Sequence, residues 1–453
     1  MAFISSNPFT GKVIEKFSYI SDEELYQKIR LSQDIYYGYW SKLTVAQRVE
    51  KIKGLSQLLR DNDEKYGKII TSEMGKPLKE SIGEVNKVAW LIDYYVENAV
   101  DFLKPKFIKA GYGKSYLRYD PLGGILGIMP WNYPFWQVYR FAIPTMLAGN
   151  TVFLKHAPNV PVCGLEIEKT FDDVLKIKGV FQNLFIDIPQ VEKVLEHRFV
   201  QGVSLTGSDR AGKSVGAIAG KNIKKSVLEL GGNDPFILCK DADMDEAIEQ
   251  FVVARMSNNG QICIAAKRMF VHEDIYDLVR EKLIKKVSEL KIGDPMDADT
   301  DITCLARPDL KDNLFVQIET IQSMGASLAY NGGELTENSC APIIMEMDSS
   351  VSYDFDEEVF GPVAVVIKFE NDEELLKMAN MSKYGLAASI WSSDIARAEI
   401  LAGKIEVGNV SINKMVTSDP RIPFGGTKQS GYGREMSEEG IKEFVNVKAI
   451  VVA

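Results

Sequence analysis

The chain has 453 residues, which is enough for about three domains' worth of hydrophobic core, although a large α/β enzyme can fuse these into two. Its formal net charge is −10, and its basic residues are scattered among the acidic ones rather than clustered. This pattern disfavours nucleic acid and anionic membrane surfaces as partners, because both require a basic face.

Cysteine and histidine are sparse. The five cysteines are widely separated without paired spacing, so neither a disulfide framework nor a metal site is expected. The three histidines lack the spacing of a metal hydrolase, and a Ser-His-Asp triad is equally disfavoured. A cytoplasmic location fits this composition, and Met1 to Val13 lacks the cationic and apolar segments of an export signal.

The N-terminal part of the chain is predicted to be helical. Apolar residues recur at helical spacing from Asp22 to Trp40 and from Val45 to Asn62. The pattern continues from Glu64 to Leu103, with a break at Gly75-Lys76-Pro77. From Phe107 to Tyr119 the residues alternate in a way that predicts a protruding hairpin arm.

An uncharged stretch of nineteen residues, Pro121 to Tyr139, is long enough to suggest a membrane span. It is interrupted by Pro130, Asn132, Pro134 and Gln137, which would break a lipid-exposed helix and leave polar groups unsatisfied. We therefore predict a buried strand, a turn and a helix here, and no membrane contact.

Apolar segments of strand length then alternate with helical segments. The first series comprises Gly124 to Met129, Thr151 to Lys155, Gln182 to Asp187, Val200 to Thr206 and Lys225 to Leu230. The second series follows Gly231-Gly232, the predicted domain boundary, and comprises Pro235 to Cys239, Arg268 to His272, Val363 to Phe369, Ala387 to Trp391 and Val407 to Ile412. Such alternation predicts an α/β fold with parallel, doubly wound sheets.

A nucleotide site is expected at the carboxyl ends of the first series, yet the chain has no G-x-G-x-x-G fingerprint. Thr206-Gly207-Ser208 ends a strand and begins a helix whose first N–H groups and Ser208 hydroxyl could hold a phosphate. The alternative is that Ser208 is a plain helix N-cap. Lys155 ends the strand Thr151 to Leu154 and faces the same edge.

The stretch from Ser257 to Arg268 presents Cys263 after a turn, Asn259-Gly260-Gln261. The competing interpretation is a cysteine packed as a small hydrophobe, which is the commoner fate of a free thiol. A second stretch, Leu228 to Gly232, places Glu229 between leucines at a strand end, where a carboxylate is costly unless it has a function. Cys263 and Glu229 are therefore the candidate catalytic residues.

Six blocks in order along the whole chain resemble those of the NAD(P)-dependent aldehyde dehydrogenases. They are Pro130 to Pro134 (P-W-N-Y-P), Thr206 to Ser208 (T-G-S), Glu229 to Gly232 (E-L-G-G), Gly260 to Cys263 (G-Q-I-C), Glu358 to Pro362 (E-V-F-G-P) and Pro423 to Gly431 (P-F-G-G-T-K-Q-S-G). The resemblance implies two Rossmann-type α/β domains plus a β oligomerisation arm. The expected boundaries are 1–106 and 120–230 for the cofactor-binding domain, 231–425 for the catalytic domain, and 107–119 and 426–453 for the arm and C-terminal return.

The resemblance also implies roles for individual residues. Cys263 would attack the aldehyde carbon as a thiolate, the Asn132 amide and the Cys263 backbone N–H would hold the oxyanion, and Glu229 would activate the hydrolytic water. Apolar surroundings would raise the pKa of Glu229 toward the working pH, as a general base requires. The implied cofactor-binding residues are Trp131, Lys155, Gly207, Ser208, Glu358 and Phe360. Of these, Lys155 and Glu358 would hold the two riboses, Ser208 the pyrophosphate, and Phe360 the nicotinamide.

The chain also departs from the family pattern. Pro158 stands where NAD-preferring members carry a glutamate, so the charge that would repel a 2′-phosphate is missing, and NADP is expected to be admitted at least as readily as NAD. Gly332 to Pro342 is shorter than the usual family loop, and Cys304 lies where a glycine-proline pair is common. The residues from Lys155 to Asn159 and from Trp136 to Arg140, with the short length, resemble the short bacterial succinate-semialdehyde dehydrogenases.

Arg140 is the only charged residue between Asp120 and Lys155. In the related dehydrogenases an arginine at this spacing serves succinate semialdehyde, so Arg140 is predicted to hold the distal carboxylate of that substrate. The alternative is a structural ion pair to a buried acid. Arg255, eight residues before Cys263, is predicted as a second donor.

Oxidation of succinate semialdehyde to succinate is therefore the expected reaction, and three alternatives stay open. The substrate could be another small or medium aldehyde, or the chain could be a non-catalytic structural relative of the fold. It could also be a relative that makes an acyl-CoA or acyl phosphate, although Glu229 favours hydrolysis to the acid. The arm and the apolar strand Val445 to Val452 resemble the family's oligomerisation elements, so a homodimer or homotetramer is expected.

Overall fold

The computed structural model describes residues 3–333, 339–348 and 355–453. Part of the predicted short loop from Gly332 to Pro342 lies outside the described residues. The predicted α/β class is confirmed, and no helix of the described ranges is long and apolar enough to cross a membrane.

The helices follow the predicted pattern closely. They are α1 (Asp22–Gly38), α2 (Val45–Ile52), α3 (Gly54–Asp61), α4 (Asp63–Met74), α5 (Leu78–Phe102), α6 (Trp136–Leu147), α7 (Pro161–Leu175), α8 (Ile188–Glu196), α9 (Asp209–Lys221), α10 (Met244–Met256), α11 (Tyr276–Ser288), α12 (Pro308–Ser323), α13 (Asp372–Asn380), α14 (Ile395–Ala402) and α15 (Ser437–Ile441). The predicted break at Gly75-Lys76-Pro77 separates α4 from α5, because Gly75 adopts φ 78° as the left-handed C-cap of α4.

The strands alternate with these helices. They are β1 (Phe3–Ser6), β2 (Val13–Phe17), β3 (Lys106–Phe107), β4 (Lys114–Pro121), β5 (Gly124–Met129), β6 (Thr151–His156), β7 (Phe181–Asn183), β8 (Val200–Thr206), β9 (Lys225–Glu229), β10 (Asp234–Leu238), β11 (Ala266–His272), β12 (Ser327–Asn331), β13 (Ile343–Met347), β14 (Val363–Phe369), β15 (Tyr384–Gly385), β16 (Ala387–Trp391), β17 (Asn409–Ile412), β18 (Thr427–Lys428), β19 (Gly431–Tyr432) and β20 (Val445–Val452).

Two sheets form the centre of the molecule. The six-stranded sheet has the order β19-β9-β8-β5-β6-β7 and is parallel except for β19, and the seven-stranded sheet has the order β12-β13-β14-β11-β10-β16-β17 and is parallel except for β12. The chain leaves the first sheet at Glu229 and enters the second at Asp234. Helices cover both faces of each sheet, as buried apolar strands require.

Three differences from the predicted elements have local causes. The strand predicted from Gln182 to Asp187 is only β7, because the Asp187 carboxylate accepts the N–H of Gln190 and begins α8. The last predicted strand begins at Asn409 rather than Val407. Neither the N-terminal hairpin of β1 and β2 nor the strands β12 and β13 were predicted.

The predicted arm is a three-stranded antiparallel sheet of order β20-β4-β3. Strand β20 pairs with β4 along its full length, from Val445 opposite Pro121 to Val452 opposite Lys114. The C-terminal segment from Thr427 first adds β19 beside β9, where Gly431 lies opposite Glu229, and only then reaches the arm. The same return therefore contacts both the arm and the strand end that carries Glu229.

Candidate active site

Cys263 lies between the end of α10 and the start of β11, on a loop with an unusual backbone. Asn258, Asn259 and Gly260 have φ angles of 50°, 53° and 71°, three successive left-handed residues. Asparagine tolerates this conformation better than other side chains. At Gly260 a Cβ atom would overlap the carbonyl of Gly361, so only glycine fits there.

Hydrogen bonds hold this loop on several sides. The Asn258 N–H donates to the Glu80 carboxylate at 2.8 Å, and the Asn258 amide donates to the Asn132 carbonyl at 2.9 Å. The Gln261 side-chain oxygen accepts the N–H of Ala306 at 3.0 Å. These hydrogen bonds hold the backbone of the loop, so the Cys263 thiol is positioned before substrate binds.

Asn132 joins the turn before α6 to the nucleophile loop. Its amide nitrogen donates to the Gln261 carbonyl at 2.8 Å, and its amide oxygen accepts from Gln137 at 3.2 Å. The side chain is 4% exposed, so the amide is oriented by the protein rather than by solvent. The structure thus brings Asn132 to the Cys263 loop.

Burial controls the chemistry of the Cys263 thiol. It raises the pKa of Cys263 to about 11, against the opposing charges of Lys267 and Arg140. The Lys267 side chain is buried, and its ammonium donates to the carbonyl oxygens of Cys263 and, at 2.9 Å, Ile262. Lys267 therefore holds the backbone carbonyls of Ile262 and Cys263 in place and supplies positive charge near the Cys263 thiol.

Glu229 ends β9 and is 3% exposed. Within the described ranges neither of its carboxylate oxygens has a hydrogen-bond partner. Burial raises the pKa of Glu229 well above its ordinary value, and the neighbouring Glu435 carboxylate raises it further, while Arg140 and Arg434 oppose the shift. A buried carboxyl without partners is expensive, and such groups concentrate at functional sites.

Arg140 lies on α6 and forms an ion pair with Glu435, whose side chain is 5% exposed. Burial lowers the pKa of the Arg140 guanidinium, but Glu435, Glu229 and Cys263 raise it more, so the net shift is upward. Its charge thus acts on both predicted catalytic residues. The ion pair to a buried acid, the alternative to substrate binding, is present, and Arg140 also lines the cavity described next.

A cavity of about 180 Å³ opens beside the thiol. Its walls come from α5, the turn before α6, α6 itself, the end of α10, the Cys263 loop and the segment after β17. They include Lys87, Tyr133, Trp136, Gln137, Arg140, Val253, Ala254, Cys263 and Ser418. Apolar surface predominates, with a few polar groups that converge on the interior, which is the usual composition of a small-molecule site.

Arg255 does not line this cavity, and the prediction that it is a second substrate donor is wrong for this structure. Its side chain is fully buried, and its guanidinium donates to the carbonyls of Gly361 and, at 3.2 Å, Val359. The guanidinium thereby ties α10 to the loop before β14. Sequence position placed Arg255 near Cys263, but α10 directs its side chain to the side away from the cavity.

Three of the predicted cofactor residues, Lys155, Gly207 and Ser208, lie along the carboxyl edge of the six-stranded sheet, where parallel α/β sheets bind nucleotides. Lys155 pairs with Ile128 near the end of β6, and Gly207 and Ser208 follow the end of β8. The Ser208 hydroxyl accepts the Ala211 N–H at 3.3 Å, so the N-cap alternative describes one of its contacts. That bond leaves the hydroxyl proton available for a phosphate, whereas the Arg210 N–H donates to the Asp209 carboxylate at 2.8 Å.

Lys155 is suited to an anionic or polyhydroxyl ligand. Burial lowers the pKa of its ammonium to about 8, and no ion pair offsets its charge within the described ranges. Its ammonium lies 5.7 Å from the centre of the Phe3 ring, and the next residue, Ile4, donates its N–H to the Pro158 carbonyl at 3.0 Å. Lys155 and Pro158 therefore lie beside the same strand, β1.

The remaining cofactor residues meet near the two glycines after Glu229. The Glu358 carboxylate accepts the Gly232 N–H at 3.1 Å and pairs with Lys267 at 3.2 Å. The Trp131 and Phe360 rings meet edge to face, with their centres 5.8 Å apart. These three contacts bring together blocks that are far apart in sequence. Lys155 and the N-terminus of α9 can donate to phosphate or hydroxyl oxygens, and the Glu358 carboxylate can accept from ribose hydroxyls. This combination of groups fits a dinucleotide.

Sequence patterns missed four residues at this site: Lys87, Lys267, Ser418 and Glu435. Lys267 was detectable, because two adjacent charged residues, Lys267 and Arg268, are unusual in a strand that also carries Met269, Phe270 and Val271. Glu435 and Ser418 were not, because their partners Arg140 and Lys87 are remote in the chain.

The site and fold define a class of protein, and comparison with known proteins agrees. The profile of the Aldehyde dehydrogenase family matches residues 2–450, and the chain belongs to this family. It is 40% identical over 455 residues to a Synechocystis protein named "Probable succinate-semialdehyde dehydrogenase [NADP(+)]", with both chains covered in full. The succinate-semialdehyde dehydrogenase [NADP(+)] of Deinococcus radiodurans is also 40% identical, over 99% of this chain and 94% of the relative.

Solved structures are similarly close. The succinic semialdehyde dehydrogenase of Streptococcus pyogenes, solved in complex with NADP+, superposes with a TM-score of 0.96 at 36% identity, and the match covers 100% of both chains. The protein PnpE, solved with nicotinamide adenine dinucleotide, gives a TM-score of 0.94 at 28% identity over 100% of this chain and 94% of its own.

Proposed function

We propose that this protein oxidises succinate semialdehyde to succinate in the cytoplasm and accepts NADP at least as readily as NAD. The observation that carries the proposal is the Cys263 cavity, which Lys87 and Arg140 also line. The partnerless carboxyl of Glu229 lies close enough to Arg140 to raise the pKa of its guanidinium. The names of the relatives support the same substrate and cofactor.

In the proposed reaction the Cys263 thiolate adds to the aldehyde carbon and forms a thiohemiacetal. The Asn132 amide and the Cys263 N–H stabilise its oxyanion, since preorganised donors bind that charge more strongly than the neutral carbonyl. A nicotinamide dinucleotide held by Lys155, Ser208 and Glu358 would supply the acceptor for the hydride of this carbon. The resulting thioester is then hydrolysed by a water whose proton passes to Glu229, and the thiol is regenerated.

The raised pKa of Glu229 suits this role. A carboxylate with an ordinary pKa near 4.5 is a weak base at neutral pH, whereas burial and the Glu435 charge make Glu229 a stronger one. The same residue argues against release of the acyl group to coenzyme A or phosphate, because water is the acceptor that a buried base activates.

For the cofactor, Lys155, Ser208, Glu358, Trp131 and Phe360 are the proposed ligands, with Gly207 leaving room for the pyrophosphate. A Cβ atom on Gly207 would meet only ordinary contacts, at 3.7 Å and beyond, so the strand end is open above it. Pro158 supplies no charge beside Lys155, and a 2′-phosphate would meet an unpaired ammonium.

We further propose a homo-oligomer that forms through the arm. The arm exposes large apolar side chains: Phe107 at 67% and Val451 at 57% lie on its strands, and Tyr112 at 62% lies on the loop between β3 and β4. Exposed apolar strands of this kind favour pairing with a second copy. Light scattering after size exclusion distinguishes a monomer from a dimer or tetramer, and a monomer at micromolar concentration would contradict this element of the proposal.

The function is tested with purified protein, succinate semialdehyde or butanal, and NADP or NAD, by the absorbance of reduced nicotinamide. The expected result is turnover with succinate as the product, a larger kcat/KM for succinate semialdehyde than for butanal, and no turnover by the Cys263→Ala variant. Absence of aldehyde-dependent reduction would show a non-catalytic relative. An acyl-CoA product on addition of coenzyme A would show the acyl-transferring alternative.

A further inference from the structure

Lys87 is a charged residue on the cavity wall whose role neither the catalytic nor the cofactor assignments explain. It lies on α5, and its ammonium donates to the Ser418 hydroxyl at 2.7 Å and lies 4.3 Å from the centre of the Trp136 ring. All three residues line the same cavity as Cys263. The Lys87 ammonium therefore connects α5 to the segment after β17 at the wall of the cavity.

The charges that surround Lys87 are already paired with one another. Arg140 pairs with Glu435, and Lys76 pairs with Glu84 in a contact that is completely buried on both sides. The Glu84 carboxylate also accepts the N–H groups of Phe135 and Trp136 at the start of α6, each at 2.8 Å.

Besides Glu84, the acidic residue that acts on Lys87 is Asp419, and its carboxylate pairs with Arg421 at 2.6 Å. Lys87 itself forms no ion pair in the described ranges, so it is the cavity's uncompensated positive charge. A half-buried ammonium without a carboxylate is costly unless a ligand supplies the anion.

We propose that Lys87 is the substrate-binding cation of this cavity and holds the distal anionic group of a short aldehyde acid, with the Ser418 hydroxyl as the neighbouring donor. The inference deepens the proposed function and rests on it. An ammonium has three N–H bonds, and Ser418 accepts one of them. The Ser418 hydroxyl accepts from Lys87, so its own proton can also point to the carboxylate.

The sequence analysis predicted that Arg140 holds the distal carboxylate, with a structural ion pair as the alternative. The charge of Arg140 is largely compensated by Glu435, whereas that of Lys87 is not. The carboxylate-selective residue is thus predicted to be Lys87, and Arg140 contributes to the positive wall while it also controls the charge around Glu229.

The test compares wild-type protein with Lys87→Met, which keeps an unbranched apolar chain and removes the charge, and with Lys87→Arg, which keeps the charge. Lys79→Met is the matched control, because Lys79 is on the same helix but its side chain is 45% exposed and pairs with Asp301 away from the cavity. Each protein is assayed with succinate semialdehyde and with butanal, which share a four-carbon chain, and its melting temperature is recorded.

Lys87→Met is expected to lower kcat/KM for succinate semialdehyde by about tenfold to a hundredfold, mainly through KM, the scale of a lost charged hydrogen bond. For butanal the change should stay within about twofold, and Lys87→Arg should recover most of the loss. Ser418→Ala should show a smaller loss with the same selectivity. Equal losses for both substrates, with a lowered melting temperature, would mean that Lys87 only joins α5 to the segment after β17.

A pH series adds a readout that a structural role would not produce. Burial, and then the charge of Arg140, lowers the pKa of Lys87 to about 8, with Lys76 acting in the same direction and Glu84 and Asp419 opposing it. The ratio of kcat/KM for succinate semialdehyde to that for butanal should fall as pH rises through about 8, because Lys87 then loses its charge. Titration of Cys263 and Glu229 affects both substrates and therefore cancels in the ratio. In Lys87→Met the ratio should be flat with pH.

Inhibition by succinate separates this inference from the proposed substrate. Succinate should compete with butanal in the wild-type protein and about tenfold more weakly in Lys87→Met. If the wild type prefers butanal but this difference persists, the substrate proposal fails and the Lys87 site stands. If the wild type prefers succinate semialdehyde, and Lys87→Met changes neither kcat/KM for this substrate nor the inhibition by succinate, the Lys87 site is overturned. The substrate proposal then stands.

Discussion

Arg140 and Glu435 form a buried ion pair whose two charges act on Glu229 in opposite directions. The Glu435 carboxylate also accepts the Ser204 hydroxyl at 3.1 Å, and the Arg140 side chain lies over the Phe424 ring at 5.0 Å. Glu435 raises the pKa of Glu229, and Arg140 lowers it. The pair therefore adjusts the strength of the proposed base while it joins α6 to the C-terminal return.

Glu435→Gln is expected to move the pH dependence of hydrolysis. Removal of the Glu435 charge ends its repulsion of the Glu229 carboxylate and leaves the Arg140 charge uncompensated, so the pKa of Glu229 should fall. The rising limb of kcat against pH should shift to lower pH. A limb that stays in place, in a variant that still binds cofactor, would show that Glu435 does not act on the base.

Arg140→Met is expected to destabilise the protein. It leaves the buried Glu435 carboxylate without its partner, a change that typically costs about 3–5 kcal/mol. Urea unfolding measures this loss, and the double variant Arg140→Met/Glu435→Gln should recover part of it. Turnover of succinate semialdehyde and of butanal should fall together, in contrast to Lys87→Met. A loss confined to succinate semialdehyde, with unchanged stability, would restore Arg140 as the selective donor.

Pro158→Glu is expected to raise KM for NADP far more than KM for NAD. A carboxylate at about 4 Å from the 2′-phosphate, at an effective dielectric constant of about 20, opposes binding by about 4 kcal/mol per unit charge. Even a third of that energy is about tenfold in affinity. Pro158→Gln, which adds length without charge, is the control. Equal effects on both cofactors would show that position 158 does not face the ribose.

Cys263 is expected to be a slow nucleophile in the cofactor-free enzyme at neutral pH. With a pKa of about 11, only a small fraction of the thiol is ionised at pH 7, and alkylation by iodoacetamide should accelerate about tenfold per pH unit up to pH 10. Cys263→Ala supplies the background from the four other cysteines, which are all buried. A rate that levels off below pH 8 would reveal a thiol with a low pKa.

Local sequence predicted the helices and most strands well, because capping residues, apolar spacing and strand-end glycines act over a few positions. Cys263 and Glu229 were selected from their local sequence, whereas Asn132 came from the family resemblance, and the catalytic roles of all three stay predictions. The sequence could not show that the Arg140 charge is taken up by Glu435 or that Arg255 faces the Gly361 carbonyl, because these contacts depend on how distant segments pack. Lys87 was missed for the same reason, since its position in α5 has the pattern of a solvent-exposed lysine on an amphipathic helix.

The central claim is that Cys263 forms a thioester that Glu229 hydrolyses, and Glu229→Gln tests it most directly. This variant is mixed rapidly with succinate semialdehyde and NADP, and reduced cofactor is recorded while the intact protein mass is measured. The expected result is a burst of about one reduced cofactor per active site, a slow steady rate, and an acyl group on Cys263. Undiminished steady turnover without a trapped acyl group would contradict the assignment.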